Sequence, residues 1–300
     1  MTRRIVSWGE TLWDLYEQER LLGGCAANVA VHLAQLGCAT HLVTRVGKDE
    51  LGTAAIEALA ARGLDTSNVQ VDAESPTGCV QVRIEKGQPR FSIAGQAAWD
   101  RIELDDGLRS LLQQADALVF GTLAQRTPLG FTTLREAVAL SAARFRVCDL
   151  NIRQPWASPE AIEQSVALAN VIKLNAKEAE TLRQIYGIED VCAWLLSRGT
   201  EIVALTLDAQ GSELHTARSC IQIPPFPLSG TTIDAVGAGD AYTAVLTAHL
   251  VAGSSLQQAG EAASRYAAAV VGFPGATPQI PADVLEATRP RDIYDNVPAG

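Results

Sequence analysis

At 300 residues the chain is long enough to bury a substantial core, and 47% hydrophobic content with 5% aromatics suits a globular protein rather than a disordered one. A formal net charge of −10 argues against a nucleic-acid surface, which needs a concentrated basic patch, yet leaves room for a phosphate held by backbone N–H groups. There is no apolar run of about 18 residues, and the opening MTRRIVSWGE turns polar too early for a secretory signal, so no membrane contact and a cytoplasmic location are expected.

Taken in chain order, short β-rich runs alternate with amphipathic stretches of helical spacing. Strands are expected at 5–8, 41–45, 117–120, 146–149, 171–174 and 202–206. Helices are expected at 27–36, 51–62, 128–142, 159–168, 176–185, 191–198, 241–251 and 256–270. This alternation predicts an α/β protein with a doubly wound, mostly parallel sheet, three layers deep, joined by right-handed crossovers. Two segments break the rhythm: 78–93 reads as a strand pair turning near 85–88, and 211–223 as another. The first suggests a small β lid. With no internal repeat and no long linker, one domain over 1–300 is expected, its lid drawn from about 12–22 and 78–96. The Pro-rich tail is expected to be surface-bound or frayed.

The cysteines (Cys25, Cys38, Cys79, Cys148, Cys192, Cys220) lie far apart, with no C-x-x-C pair and no histidine at zinc spacing, and are read as buried thiols. His32, His41, His215 and His249 receive no role. Trp13 and Trp99 are read either as a platform for a sugar face or as core.

The segment DAVGAGDAYTA is the most informative. A loop that enters a helix presents unpaired N–H groups and the positive end of the helix dipole. Gly237, Ala238 and Gly239 let an anion approach that backbone closely. A dinucleotide fingerprint is excluded because Tyr242 stands where its third glycine belongs, and a Walker A loop because no G-K-[ST] follows. Asp240 is the odd member, since a carboxylate repels a resting phosphate. On the loop alone it reads either as a base for an attacking hydroxyl or as a helix cap.

Two motifs in order give the loop a context. Asp234-Ala235-Val236-Gly237-Ala238-Gly239-Asp240 resembles the D-T-x-G-A-G-D signature of the ribokinase-like (PfkB) carbohydrate kinases, and Gly23-Gly24-Cys25-Ala26-Ala27-Asn28-Val29-Ala30 resembles their G-G-x-x-x-N-x-A. Further similarities are Gly9 to Asp14, the RVGKDELG turn at 45–52, N-x-x-E at Asn175 and Glu178, and TLDAQGS at 206–212. The resemblance spans about residues 5–281. It implies a ribokinase-like fold and transfer of the γ-phosphoryl group of ATP to a sugar hydroxyl.

The resemblance also implies the roles. Asp240 is the base, with Gly237, Ala238 and Gly239 stabilising the transferring phosphoryl; Asp14, Gly23, Gly24 and Asn28 hold the sugar. Asn175, Thr206, Asp208, Gly211 and Ser264 face the nucleotide, Glu178 meets Mg2+ through water, and Asp234 helps hold a monovalent cation such as K+. The run CDLNIRQPW resembles the D-x-N-x-R segment of members acting on fructose and 2-keto-3-deoxygluconate, and alternation in an extended chain would turn Asp149, Asn151 and Arg153 to one side. A fructokinase-like enzyme is therefore expected, with 2-keto-3-deoxygluconate kinase, ribokinase, nucleoside kinase and a non-catalytic sugar- or nucleotide-binding regulator as alternatives. The pattern departs at Ala235 and Val236, at Asp208 where glycine is usual, at Ser264 where ribokinases often carry Asn, and in the short 15–22 segment. Small molecules are the expected partners, and the chain is expected to be a monomer or homodimer.

Overall fold

The computed structural model describes residues 3–85, 88–227 and 233–291, so the turn expected near 85–88 lies partly outside the described residues, as does the end of the Pro-rich tail. In chain order its elements are β1 (Arg4–Trp8), β2 (Leu12–Leu15), β3 (Arg20–Gly23), α1 (Cys25–Gln35), β4 (Ala39–Gly47), α2 (Glu50–Ala60), β5 (Val69–Asp72), β6 (Gly78–Glu85), β7 (Gln88–Ile93), α3 (Asp106–Leu112), β8 (Ala117–Gly121) and α4 (Pro128–Leu140). They continue as β9 (Phe145–Asp149), α5 (Pro159–Leu168), β10 (Val171–Asn175), α6 (Ala176–Tyr186), α7 (Val191–Ser197), β11 (Ile202–Thr206), β12 (Ser212–His215), β13 (Cys220–Ile223), α8 (Ala238–Ala252), α9 (Leu256–Val270) and α10 (Ala282–Thr288).

The main sheet runs β13-β12-β11-β10-β9-β8-β1-β4-β5, parallel throughout except for the antiparallel β12 and β13 at one edge. Its strands are buried on both faces because helices cover both. In β8, Leu118 and Phe120 enter the apolar cluster shared with α4 to α7, while Ala117 and Val119 enter the one shared with α1, α8 and α9. Strand order reverses around β1, which pairs with both β4 and β8. In such open sheets ligands bind beyond the carboxyl ends of the strands at the reversal. Several helices start on the signals written in the chain: Thr127 and Ser158 cap α4 and α5 ahead of Pro128 and Pro159, and Asn175 with Glu178 closes a capping box on α6. Helix α8 is buried at nearly every position from Ala241 to Leu250, a core helix rather than a surface one.

A second sheet, ordered β3-β2-β6-β7, brings the two expected lid segments together: β2 pairs in parallel with β6, and antiparallel with β3. The tail expectation is corrected over its first part. Residues 276–289 are anchored, because α10 buries Leu285 and Thr288, and Gln35 bonds Pro278 and Ile280. Both tryptophans are core residues: Trp13 gives its indole N–H to the Leu51 carbonyl at 2.9 Å, and Trp99 is buried under the Arg126 guanidinium. Cys220 is exposed, contrary to the reading of every cysteine as buried, because it sits on β13, the outermost strand of the main sheet among the described residues. Among the described residues no helix is long and apolar enough to cross a membrane.

Candidate active site

The glycine loop ends at the N-terminus of α8. Gly237 takes φ +82°, in the left-handed region, and a Cβ there would strike the Ala276 carbonyl; glycine is required on both counts. Gly239 has a different reason. A Cβ on it would lie 2.7 Å from the Lys173 ammonium, so the missing side chain is what lets a buried cation approach the first turn of the helix. Within that turn, Asp240 accepts a hydrogen bond from the Asn28 amide at 2.7 Å, joining the second glycine motif to the first across 212 residues of sequence.

Beneath Asp240 lies a charge network. Lys173 on β10 donates to both carboxylate oxygens of Asp149, at the end of β9, at 3.2 and 3.1 Å; the Thr243 hydroxyl of α8 adds a third bond to Asp149 at 2.7 Å. Lys173 and Asp149 are 5% and 1% exposed, so each would carry a large desolvation cost without the other. Burial alone would discharge Lys173, but Asp149, Glu178 and Asp240 outweigh it and raise its pKa. Asp240 is shifted up as well, by burial first and then by repulsion from Asp149; the bonds from Asn28 and the Cys25 thiol and the charge of Lys173 work the other way. The Cys25 sulfur and the carboxylates of Asp149 and Asp240 all fall within 4.8 Å of one another.

On the other side of Asn28, Gly23 and Gly24 form the bend into α1. Gly24, at φ +105°, has no room for a Cβ against the Glu10 carbonyl, and Gly23 leaves space for the Asp14 carboxylate, 2.7 Å from where a Cβ would sit. Burial lifts the Asp14 pKa to about 6 against the opposing charge of Arg153. Glu10, just beyond β1, accepts the Cys25 backbone N–H at 3.0 Å, and burial lifts its pKa to about 7, with the charge of Asp240 adding to the rise. The charge of Arg153 thus acts on both acids. Its route there differs from the sequence expectation: Asn151 adopts φ +39°, so the chain turns after Asp149 rather than continuing extended, and strict alternation fails at Asn151.

The remaining predicted residues are positioned by other contacts. Glu178 accepts the backbone N–H groups of Ile152 and Asn175 at 3.0 and 2.9 Å, and Asn175 returns a bond to the Glu178 N–H. Thr206 closes β11, Asp208 takes φ +49° and Gly211 φ +92° in the turn to β12, and the Ser264 hydroxyl reaches the Pro224 carbonyl at 3.4 Å. Asp234 staples its loop, accepting Val236 N–H at 3.0 Å and Gly275 N–H at 3.1 Å.

The family model for pfkB family carbohydrate kinases matches residues 4–283. The chain belongs to the PfkB carbohydrate kinase family. It is a sugar kinase, a phosphotransferase acting on an alcohol group. Fructokinase-1 of Zea mays is 29% identical over 276 residues, covering 84% of this chain and 85% of that protein. The crystal structure of an uncharacterized sugar kinase from Pyrococcus horikoshii superposes with a TM-score of 0.84 at 25% identity, over 97% of this chain and 99% of that one. A fructokinase with bound ATP from Xylella fastidiosa has the same fold, with a TM-score of 0.84 at 23% identity over 96% and 98% of the two chains.

In this kinase, then, Asn28 and Asp240 meet at the head of α8 beside Gly237–Gly239, with the Lys173 and Asp149 charges close to Asp240. Sequence reasoning missed Lys173, Glu10 and Cys25 as members of the cluster and gave Asp149 no role beyond its motif. Lys173 left a readable signal: it is the one charge inside the apolar strand run VIKL, a position that only a buried partner makes tolerable. Glu10 and Cys25 left none, because their importance lies in who surrounds them.

Proposed function

We propose that this kinase transfers the γ-phosphoryl group of ATP to a hydroxyl of a ketohexose, with fructose as the preferred acceptor and Asp240 as the base. The observation that carries this reading is the 2.7 Å bond between Asn28 and Asp240 at the N-terminus of α8, which unites the sugar-side and phosphate-side motifs. Asp240 takes the proton of the attacking hydroxyl as that oxygen bonds to the γ-phosphorus and the bridge to ADP breaks. The backbone N–H groups of Gly237, Ala238 and Gly239, of which that of Ala238 makes only a long 3.4 Å bond to the Ala235 carbonyl, hold the charge on the moving phosphoryl with the helix dipole behind them. Lys173 adds a buried positive charge below the same turn and balances Asp149, so Asp240 is not left among uncompensated acids.

Asp14 and Asn28 bond the sugar hydroxyls against the bare backbone of Gly23 and Gly24, and Arg153, opposite Asp14, meets a further sugar oxygen. The 12–23 and 78–93 strands serve as a lid of one kinase domain, shielding the transfer from water. Thr206, Asp208, Gly211 and Ser264 line the nucleotide along the β11–β13 edge. The donor set at Asn175 and Glu178 fits a hard cation met through its water shell, since both Glu178 oxygens already accept a backbone N–H and keep lone pairs to spare. Mg2+ held there supplies neutralising charge to the ATP phosphates. Asp234 is the candidate for K+, through its loop carbonyls more than its stapled carboxylate. Free thiols and dependence on ATP suit the cytoplasm.

A panel of fructose, ribose, 2-keto-3-deoxygluconate and adenosine, each with ATP and Mg2+, tests the assignment. Fructose should give the highest kcat/KM; adenosine turnover with silent sugars refutes the sugar reading, and 2-keto-3-deoxygluconate in first place refutes the ketohexose.

A further inference from the structure

The β12–β13 hairpin, at the edge of the main sheet, carries donors that phosphoryl transfer leaves unused. Its register pairs Ser212 with Ile223, Glu213 with Gln222, Leu214 with Ile221 and His215 with Cys220. Alternation then divides the hairpin into two faces. Ser212 and Leu214 turn toward α8 and α9, where the Ser212 hydroxyl meets the Tyr242 hydroxyl at 2.8 Å and Leu214 is fully buried. Glu213, His215 and Cys220 share the opposite face, the side of the sheet on which α7 packs.

The backbone register therefore fixes three chemically different donors together. His215 Nε2 lies 2.8 Å from a Glu213 carboxylate oxygen and 3.7 Å from the Cys220 sulfur, and the three atoms are all within 4.8 Å of one another. We propose that Glu213, His215 and Cys220 form a binding site for a thiophilic divalent cation, Zn2+ by its chemistry, on the exposed face of this hairpin.

The distances suit that ion. Tetrahedral Zn2+ with ordinary bond lengths separates its nitrogen and sulfur ligands by about 3.6 Å and its nitrogen and carboxylate oxygen by about 3.4 Å. The sulfur is already in place, and the carboxylate has only to draw back by roughly half an ångström, which a half-exposed side chain does without backbone movement. Binding forms the Zn–S bond and releases the thiol proton to solvent, and neutral imidazole supplies the Nε2 lone pair. One thiolate, one imidazole and one carboxylate favour Zn2+ over Mg2+, which wants oxygen alone. A water completes the fourth position. An ion held there ties β12 to β13, stiffening the edge that begins at the Asp208–Gly211 turn.

Chelator-stripped, reduced protein titrated with Co2+ and then Zn2+ tests the site. One equivalent of Co2+ should produce a sulfur-to-cobalt charge-transfer band that Zn2+ bleaches, and Zn2+, but not Mg2+, should raise the Tm. Cys220→Ser should abolish the band and His215→Ala weaken Zn2+ at least tenfold, with metal-free turnover of Cys220→Ser on the sugar unchanged as the check on folding. Absence of a stoichiometric band overturns the proposal. So does a band that survives Cys220→Ser and disappears in Cys25→Ser, which would assign it to the Cys25, Asp149 and Asp240 cluster instead.

Discussion

Glu10 is a buried carboxyl that accepts the Cys25 backbone N–H and feels one acid, Asp240, and one base, Arg153; replacing it with glutamine should stabilise the kinase at alkaline pH. The carboxyl is 3% exposed, and its pKa rises from 4.5 to about 7, mainly by burial. A raised carboxyl favours the folded state while protonated. Below pH 4.5 both the folded and unfolded chains hold the proton and the group costs nothing; between 4.5 and about 7 the unfolded chain alone gives it up, so stability falls; above about 7 both are ionised and the loss is complete. At about 1.4 kcal/mol per pH unit, that interval amounts to about 3 kcal/mol. Glutamine keeps an oxygen to accept the Cys25 N–H and removes the charge. The assay is urea unfolding of both proteins at pH 5 and pH 8.5. Glu10→Gln should gain little at the lower pH and up to about 3 kcal/mol at the higher. A glutamine variant that is less stable at pH 8.5, or a difference that does not change with pH, refutes the reasoning, since it would mean the ionised carboxylate is welcomed in the fold.

Asp240→Asn should lower kcat by about 10²–10⁴ while leaving sugar and ATP dissociation constants, read by calorimetry, nearly unchanged; retained turnover removes Asp240 as base. Lys173→Met strands the Asp149 carboxylate in the core and should cost about 3–5 kcal/mol in urea unfolding, together with most of the activity; a loss below about 1 kcal/mol would show that Asp149 finds water or a proton instead. The Asp14 carboxylate must be ionised to accept sugar hydroxyls, so kcat/KM for the sugar should fall as pH drops through about 6. Asp14→Asn should lower the plateau and remove that part of the acid limb, and an unaltered limb in the variant refutes the assignment.

Much of the fold was legible because its signals are local. The six expected strands and eight expected helices all appear, most ends shifting by three residues or fewer, since apolar runs, prolines at helix starts and Ser, Thr, Asn and Asp caps act within a few residues of themselves. What escaped notice was short or depended on a distant partner. Strand β5 is VQVD, too brief to show a period, and forms because β4 offers it a free edge. Helix α3 has a clear Asp105 cap but only two turns, and α10 is held by packing against α9, with Gln35 fixing the segment that leads into it at Pro278 and Ile280.

By itself, the sequence determined the family, the glycine positions and the identity of the acid at the head of α8, because glycine loops and helix termini are made by consecutive residues. Only the tertiary structure decided what surrounds that acid. Lys173 and Asp149 are 24 residues apart, Asp149 and Thr243 are 94 apart, and Asn28 and Asp240 are 212 apart, yet they meet in one buried network. The pKa shifts of Lys173 and Asp240 arise from desolvation and from charges brought close by the crossing of β9, β10 and α8, quantities no linear spacing contains. The same holds at the sheet edge, where Glu213, His215 and Cys220 acquire a shared face only once β12 and β13 pair in register.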